Sequence, residues 1–311
     1  ITAIDKLGGS YQFRTQLYYT GKVEDHTLTG DLYCVGGFDP RFNIDDMNAF
    51  VESIRRMGVD TIRGSIVADR SMKDADLLGE GWCWDDDNPP LSPLTIGRNT
   101  QFVDRFIRQL VDDGVVLDVR VSDGTLPDSA FHLCSRFHSI DQILLRMMKQ
   151  SDNFYAEAMF YQLAAHQGHR PARAKDAAAI VKRLISKVGL GHRPYRIADG
   201  SGLSLYNYLS ADLEVRLLRY AYRNSTVYLH LLPSLPVAGS DGTLRNRMRG
   251  SFAADNVKAK TGTLEGVSAL AGYCTAANDH RLCFSIINQG VMHTSNARRF
   301  QDRVCNALCA P

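Results

Sequence analysis

The chain has 311 residues, of which 44% are hydrophobic and 23% charged, and its formal net charge at pH 7 is +2. This composition is typical of an ordinary globular protein with one large domain, or with a core and a smaller module. The near-neutral charge and the dispersed basic residues predict no nucleic-acid partner. No apolar run reaches the roughly 18 residues of a membrane span, so no transmembrane segment is predicted.

The first third of the chain alternates short strands, turns and one helix. Residues 1–8 are typical of a helix fragment without a cap, so we expect the numbering to begin inside a larger precursor. Residues 28–35 and 61–68 alternate as strands do, and residues 44–57 carry a helical apolar stripe that Gly58 ends. This β-α-β pattern predicts an inserted small α/β domain over residues 21–93.

Helical patterns dominate from about residue 94, at 102–110, 140–148, 154–163, 177–188 and 213–222. Strands return at 257–263, 267–275 and 282–288, before a last helix at 297–308. Helices that flank an antiparallel sheet predict an α+β core. The predicted domains are therefore residues 1–20 with 94–311, and the inserted residues 21–93.

The seven cysteines have an odd count and scattered spacing, which predicts neither a disulfide framework nor a zinc site. Buried reduced thiols are favoured for all seven. Cys305 and Cys309 lie one helical turn apart and fit one buried face. Cys274 and Cys283 flank a predicted turn, so a position opposite each other on paired strands stays open.

A cluster of residues that can take part in chemistry lies at the end of the predicted strand at 257–263. Lys260 supplies a positive charge, Thr261 and Thr263 supply hydroxyls, and Gly262 leaves the backbone open to close approach. Because side chains alternate along a strand, Lys260 and Gly262 face one way and the threonines the other. A free edge of this kind can pair with an extended anionic peptide, although the tripeptide alone is a weak signal.

Ser151 and Asn153 interrupt two apolar helical patterns that would otherwise run together. A helix N-cap with a polar neighbour explains this triplet equally well when it is taken alone. Its position in the chain, with a helical block between it and Lys260, favours a functional interpretation of the triplet. We predict that a hydroxyl and an amide emerge where the helices meet.

These two motifs resemble two of the three signature motifs of the penicillin-binding proteins and serine β-lactamases. Further segments are similar to one branch, the class C low-molecular-mass penicillin-binding proteins, which are D-alanyl-D-alanine carboxypeptidases and endopeptidases: 30–40, 81–84, 198–204 and 235–244. The third motif, Ser-x-x-Lys, does not occur in the 311 residues. The resemblance implies that this nucleophile lies about five residues before Ile1, and that the chain by itself is inactive.

The resemblance implies a penicillin-binding/serine β-lactamase-like fold and a penicillin-sensitive serine peptidase that acts through an acyl-enzyme. Ser151 would relay a proton, Asn153 would hold the peptide amide, and Lys260 would stabilise the anionic site. Thr261 and Thr263 would receive the terminal carboxylate, with Gly262 beside them. The implied partners are peptidoglycan peptides ending in D-Ala-D-Ala and, as covalent inhibitors, β-lactams.

No cofactor or metal is implied; an alternative hard-cation site at Asp85, Asp86 and Asp87 is less favoured than a solvated loop. The implied location is the bacterial periplasm, after export with a signal peptide that this chain does not contain. Carboxypeptidase and endopeptidase activity are not distinguished. A non-catalytic peptidoglycan-binding scaffold and, less favoured, a β-lactamase remain alternatives.

Overall fold

The computed structural model describes residues 1–83, 86 and 88–311. Trp84, Asp85 and Asp87 lie outside the described residues, and with them most of the predicted acidic loop. In the part that is described, no helix is both long and apolar enough to cross a lipid bilayer.

One mixed sheet is built from the first half of the chain. Its strands are β1 (Gln12–Tyr19), β2 (Lys22–Glu24), β3 (Thr27–Thr29), β4 (Leu32–Gly36), β5 (Thr61–Asp69), β6 (Val116–Asp123) and β7 (Phe131–Ser139). β3 and β4 pair in parallel with successive parts of β5, and β6 pairs in parallel with β5 as well. β1 lies antiparallel between β4 and β7. Helices α2 (Ile44–Arg56) and α3 (Phe102–Asp112) pack on this sheet through apolar stripes.

The hydrophobic core of this sheet extends beyond residues 21–93. Leu17 of β1 and Phe106 of α3 are fully buried in it, and Cys134 of β7 packs against it. Backbone pairing in the sheet, and not position in the sequence, decides which hydrophobic core a strand belongs to. We therefore propose that the inserted module covers about residues 12–139, a wider range than the 21–93 predicted from the sequence.

The helical core consists of α1 (Thr2–Leu7), α4 (Ile140–Lys149), α5 (Asn153–His166), α6 (Ala174–Lys187), α7 (Ala211–Arg223) and α8 (Ser225–Ser234). α5 is buried along nearly its whole circumference, from Phe154 to Ala164. A helix that is buried on nearly every side lies in the centre of a bundle. Its N-terminus, where Ser151 and Asn153 lie, is consequently held by the core of the domain.

The second sheet is antiparallel, in the order β10 (Arg281–Gln289), β9 (Val267–Thr275), β8 (Lys258–Leu264). The C-terminal helix α9 (Thr294–Cys309) packs on one face of this sheet, and α7 packs on β9 and β10. Tyr273 joins the helical core, whereas its neighbour Cys274 joins the core beneath α9. This sheet lies between helices, which confirms the predicted α+β fold class.

The alternation of side chains along β9 and β10 decides which side of the sheet Cys274 and Cys283 face. Cys283 pairs with Tyr273 and Cys274 with Leu282, so the two cysteines face opposite sides of the sheet, and the alternative that placed them opposite each other is wrong. Cys305 and Cys309 are both buried in the core under α9, as one helical face predicts.

Candidate active site

Ser151 lies in the turn between α4 and α5 and is exposed. Its φ is 56°, in the left-handed region, which costs a non-glycine residue on the order of 1 kcal/mol. Asn153 begins α5 two residues later and is half-buried. The turn therefore presents a hydroxyl and an amide at one end of the most buried helix.

Asp152 holds this turn in place. Its side chain is only 4% exposed, and Oδ2 accepts hydrogen bonds from Arg98 Nη1 at 2.9 Å and Arg146 Nε at 2.8 Å. The Arg146 guanidinium also lies over the Tyr155 ring, 5.0 Å from its centroid. Two cations from different segments thus converge on one buried carboxylate, and the neighbouring Ser151 is positioned as a result.

Replacing Asp152 by asparagine should lower the free energy of unfolding by about 2 kcal/mol, because one buried acceptor then faces two guanidinium groups without a compensating charge. Urea unfolding at neutral pH measures the change. The matched control is Asp141→Asn in α4, where the carboxylate is 56% exposed and 2.6 Å from His230 Nδ1; the expected cost there is below about 0.5 kcal/mol. Equal losses in the two variants would contradict an anchoring role for Asp152.

Lys260 and Ser151 meet directly. Lys260 Nζ donates to Ser151 Oγ at 2.7 Å and to the Thr261 carbonyl at 2.7 Å. Burial of the ammonium lowers the pKa of Lys260 to about 8. The structure thus brings together two of the predicted catalytic side chains, a cation and the hydroxyl that it polarises.

β8 is an edge strand, and its free part is the part that carries the motif. Ala259 N–H donates to the Pro236 carbonyl on the outer side, 3.0 Å away. By the two-residue period of a strand, the N–H groups of Thr261 and Thr263 also face outward. Among the described residues, the outer edge is bridged only at Val237–Lys258, so an extended peptide can pair with the following residues.

The side chains of β8 divide as the alternation predicts. Lys260 pairs with Ala271, which packs against the helical core, whereas Thr261 pairs with Leu270 in the core under α9. Gly262 is exposed, and a Cβ there would touch only Ala269 Cβ, at 3.4 Å. The space above Gly262 is accordingly open.

Residues 235–244 complete the site, and sequence reasoning assigned them no role. Lys149, the last residue of α4, donates to the Leu235 carbonyl and to Asp241 Oδ2, each at 2.6 Å. Thr243 Oγ1 then lies 2.9 Å from Thr261 Oγ1. A Lys-Asp ion pair near Ser151 therefore places a third hydroxyl beside the motif.

A loop formed by residues 198–204 covers α5 behind this site. Asp199 accepts hydrogen bonds from the Ser204 N–H at 2.7 Å and from Trp82 Nε1 at 2.9 Å. Trp82 therefore holds its own loop against this one. The loop also contacts the buried Glu157 of α5, through the Gly200 and Ser201 N–H groups.

Solved structures of known proteins have a fold similar to that of this chain. A crystal structure of penicillin binding protein 4 from Haemophilus influenzae superposes with a TM-score of 0.90 at 24% identity, covering 100% of this chain and 89% of that chain. A structure of the same protein complexed with a novel β-lactam gives 0.85 at 23% identity, covering 100% and 88%. The chain thus has the fold of a penicillin-binding protein, as the resemblance implies.

The model of the D-Ala-D-Ala carboxypeptidase 3 (S13) family matches residues 1–106 and 97–308, and the chain belongs to that family. It is 24% identical to the D-alanyl-D-alanine carboxypeptidase DacB of H. influenzae, over 89% of this chain and 76% of that protein. It is 27% identical to the D-alanyl-D-alanine carboxypeptidase of Actinomadura sp. (strain R39), over 93% and 71%. The predicted resemblance and enzyme class are confirmed at the level of the family.

Proposed function

We propose that this protein is a serine-type D-Ala-D-Ala carboxypeptidase that acts on peptidoglycan stem peptides. Membership of the carboxypeptidase family supports the reaction. The observation that carries the site is the 2.7 Å contact between Lys260 Nζ and Ser151 Oγ at the free edge of β8. In this reaction a serine attacks the carbonyl between two D-alanines, the terminal D-alanine leaves, and water cleaves the resulting ester.

Each motif residue has a role that its position allows. Ser151 Oγ, polarised by Lys260, passes a proton to the leaving amine, and Asn153 binds the peptide amide. The outward N–H of Thr263 is one donor for the oxyanion that forms during attack. The hydroxyls of Thr261 and Thr263 bind the terminal carboxylate. The nucleophile belongs to a Ser-x-x-Lys motif, which we propose precedes Ile1 in a helix continuous with α1.

The same proposal covers partners and location. β-Lactams resemble the D-Ala-D-Ala terminus closely enough to acylate the serine of such enzymes, and the similar H. influenzae protein has been crystallised with one. The substrate lies outside the cytoplasmic membrane, so we propose a periplasmic or extracellular location, reached through a signal peptide.

Labelling with a fluorescent penicillin tests the proposal. Two polypeptides are compared: the 311-residue chain, and the same chain preceded by the residues that its gene encodes before Ile1. The longer form should become covalently labelled and release D-alanine from a D-Ala-D-Ala peptide, and the shorter form should do neither. A longer form whose Ser-x-x-Lys serine is changed to alanine serves as the matched control.

Two outcomes contradict the proposal. A folded longer form without label favours the non-catalytic scaffold. Rapid turnover of a chromogenic cephalosporin, without release of D-alanine, favours a β-lactamase.

A further inference from the structure

Arg298 is an exposed cation of α9 that lies beside the motif strand. Its Nη2 is 3.4 Å from Thr263 Oγ1, a contact too long to be a strong hydrogen bond. The ion pairs found within the described ranges do not include Arg298. Its charge is therefore available for a ligand that binds at Thr263.

The helix that carries Arg298 is fixed against the sheet. Gln301 is fully buried, and its Nε2 donates to Ser268 Oγ at 3.1 Å and to Asn288 Oδ1 at 3.0 Å. Ser268 is the residue that pairs with Thr263 in the sheet. Gln301 thus docks α9 at the same row of the sheet in which Thr263 lies, one helical turn from Arg298.

A second set of contacts holds the helix through Arg247, which lies outside α9. Arg247, whose side chain is 13% exposed, pairs with Asp302 at 2.7 Å and also donates to the Arg298 carbonyl at 3.3 Å. Buried and part-buried contacts thus fix α9 both to the sheet and to Arg247. Arg298 is consequently presented to Thr263 by a rigid framework, which pre-organises it for a ligand.

We propose that Arg298 binds the C-terminal carboxylate of the substrate peptide, together with Thr261 and Thr263; this inference rests on the proposed function. A carboxylate has two oxygens and about four acceptor positions, whereas each hydroxyl offers one proton. Thr261 Oγ1 already lies 2.9 Å from Thr243 Oγ1. A guanidinium supplies paired donors and a permanent charge, the geometry that a carboxylate prefers.

The test measures binding to the 311-residue chain by titration in saturation-transfer NMR. The probes are diacetyl-L-Lys-D-Ala-D-Ala and the same peptide with a C-terminal carboxamide. The wild-type chain should prefer the carboxylate, and Arg298→Ala should reduce this preference about tenfold while the affinity for the amide is unchanged. Arg298→Lys should recover part of the preference. Arg299→Ala, an exposed cation of the same helix whose side chain contacts Asn296, should leave it unchanged.

An unaltered preference in Arg298→Ala would overturn the inference and leave the proposed function standing. Equal loss of both peptides in Arg298→Ala would also overturn it, since that pattern indicates a role in shaping the groove. A wild-type chain that binds neither peptide, or prefers the amide, would overturn the proposed function and this inference together.

Discussion

Replacing Lys260 by alanine should slow penicillin labelling of the longer form on the order of 10²–10³-fold, the loss that follows removal of one pre-organised donor from an anionic site. Lys260 Nζ is 2.7 Å from Ser151 Oγ, so its removal leaves that hydroxyl without the cation that polarises it. The second-order rate of labelling, taken from a stopped time course, measures the effect. Circular dichroism and the Tm should remain close to those of the wild type.

The matched control is Lys258→Ala, which removes the same charge from the same strand and the same face two residues earlier. Lys258 pairs with Tyr273 in the sheet, whereas Lys260 pairs with Ala271 and reaches the Ser151 turn. The control should label at the wild-type rate. If both variants lose the same factor, the effect belongs to the general field of the strand and the assigned role of Lys260 is wrong.

The pH profile gives an independent readout. Burial lowers the pKa of Lys260 to about 8, so the ammonium loses its proton as the pH rises through that value. Labelling of the wild-type longer form should therefore fall above pH 8. Lys260→Ala should lack this fall.

The elements that sequence reasoning predicted best are those whose own side chains show the period. Residues 44–57 and 140–148 carry complete apolar stripes, and they form α2 and α4 within a few residues of the predicted bounds. β6 and β7 were missed because most of their side chains are exposed or half-buried. β1 alternates cleanly, with Phe13, Thr15 and Leu17 buried, yet no strand was predicted there.

Pairing across long sequence separation also limits prediction of domain bounds. β1 lies between β4 and β7, and β7 begins more than a hundred residues after β1 ends. Nothing local in residues 12–19 identifies that partner. The predicted domain boundary at residue 21 was based on a change in composition, whereas the hydrophobic core includes every strand that pairs in the sheet.

Some residues of the candidate site were predicted from the sequence, and others were found only in the structure. Ser151, Asn153, Lys260 and the residues that follow Lys260 came from motifs, and the structure brings Ser151 and Lys260 into contact. Their catalytic roles stay predictions. The roles of Thr243, Asp152 and Arg298 could not be predicted from the sequence, because they depend on ion pairs and on a helix docking that only the folded chain shows.

The buried carboxyl of Glu157 predicts a large dependence of stability on pH. Glu157 is 1% exposed, and its Oε1 accepts hydrogen bonds from Gly200 N at 3.0 Å and Ser201 N at 2.7 Å. Burial, and next the nearby Asp199 carboxylate, raise the pKa of Glu157 from 4.5 to about 7. The two backbone donors oppose the shift without cancelling it.

The sign of the effect follows from which state ionises first. Below pH 4.5 the carboxyl is protonated in both the folded and the unfolded chain, so it adds no pH dependence. Between pH 4.5 and about 7 the unfolded chain ionises while the folded chain resists, and stability falls as the pH rises. Above pH 7 the penalty is constant, at about 3 kcal/mol for a shift of this size.

The wild type should lose stability between pH 4.5 and pH 8, and in Glu157→Gln this loss should be smaller by about 3 kcal/mol. The glutamine oxygen can still accept from Gly200 and Ser201, so the loop keeps its contacts while the charge is gone. Urea unfolding of both proteins at the two pH values measures the difference, in which other titrating groups cancel.

The matched control is Glu265→Gln, at an exposed position in the turn after β8, and it should follow the wild-type pH dependence. Equal losses of stability in wild type and Glu157→Gln would mean that Glu157 ionises without cost. That outcome would contradict the burial of this carboxyl beneath residues 198–204. It would also remove the reason to regard the loop as fixed to α5, the helix whose N-terminus presents Ser151 and Asn153.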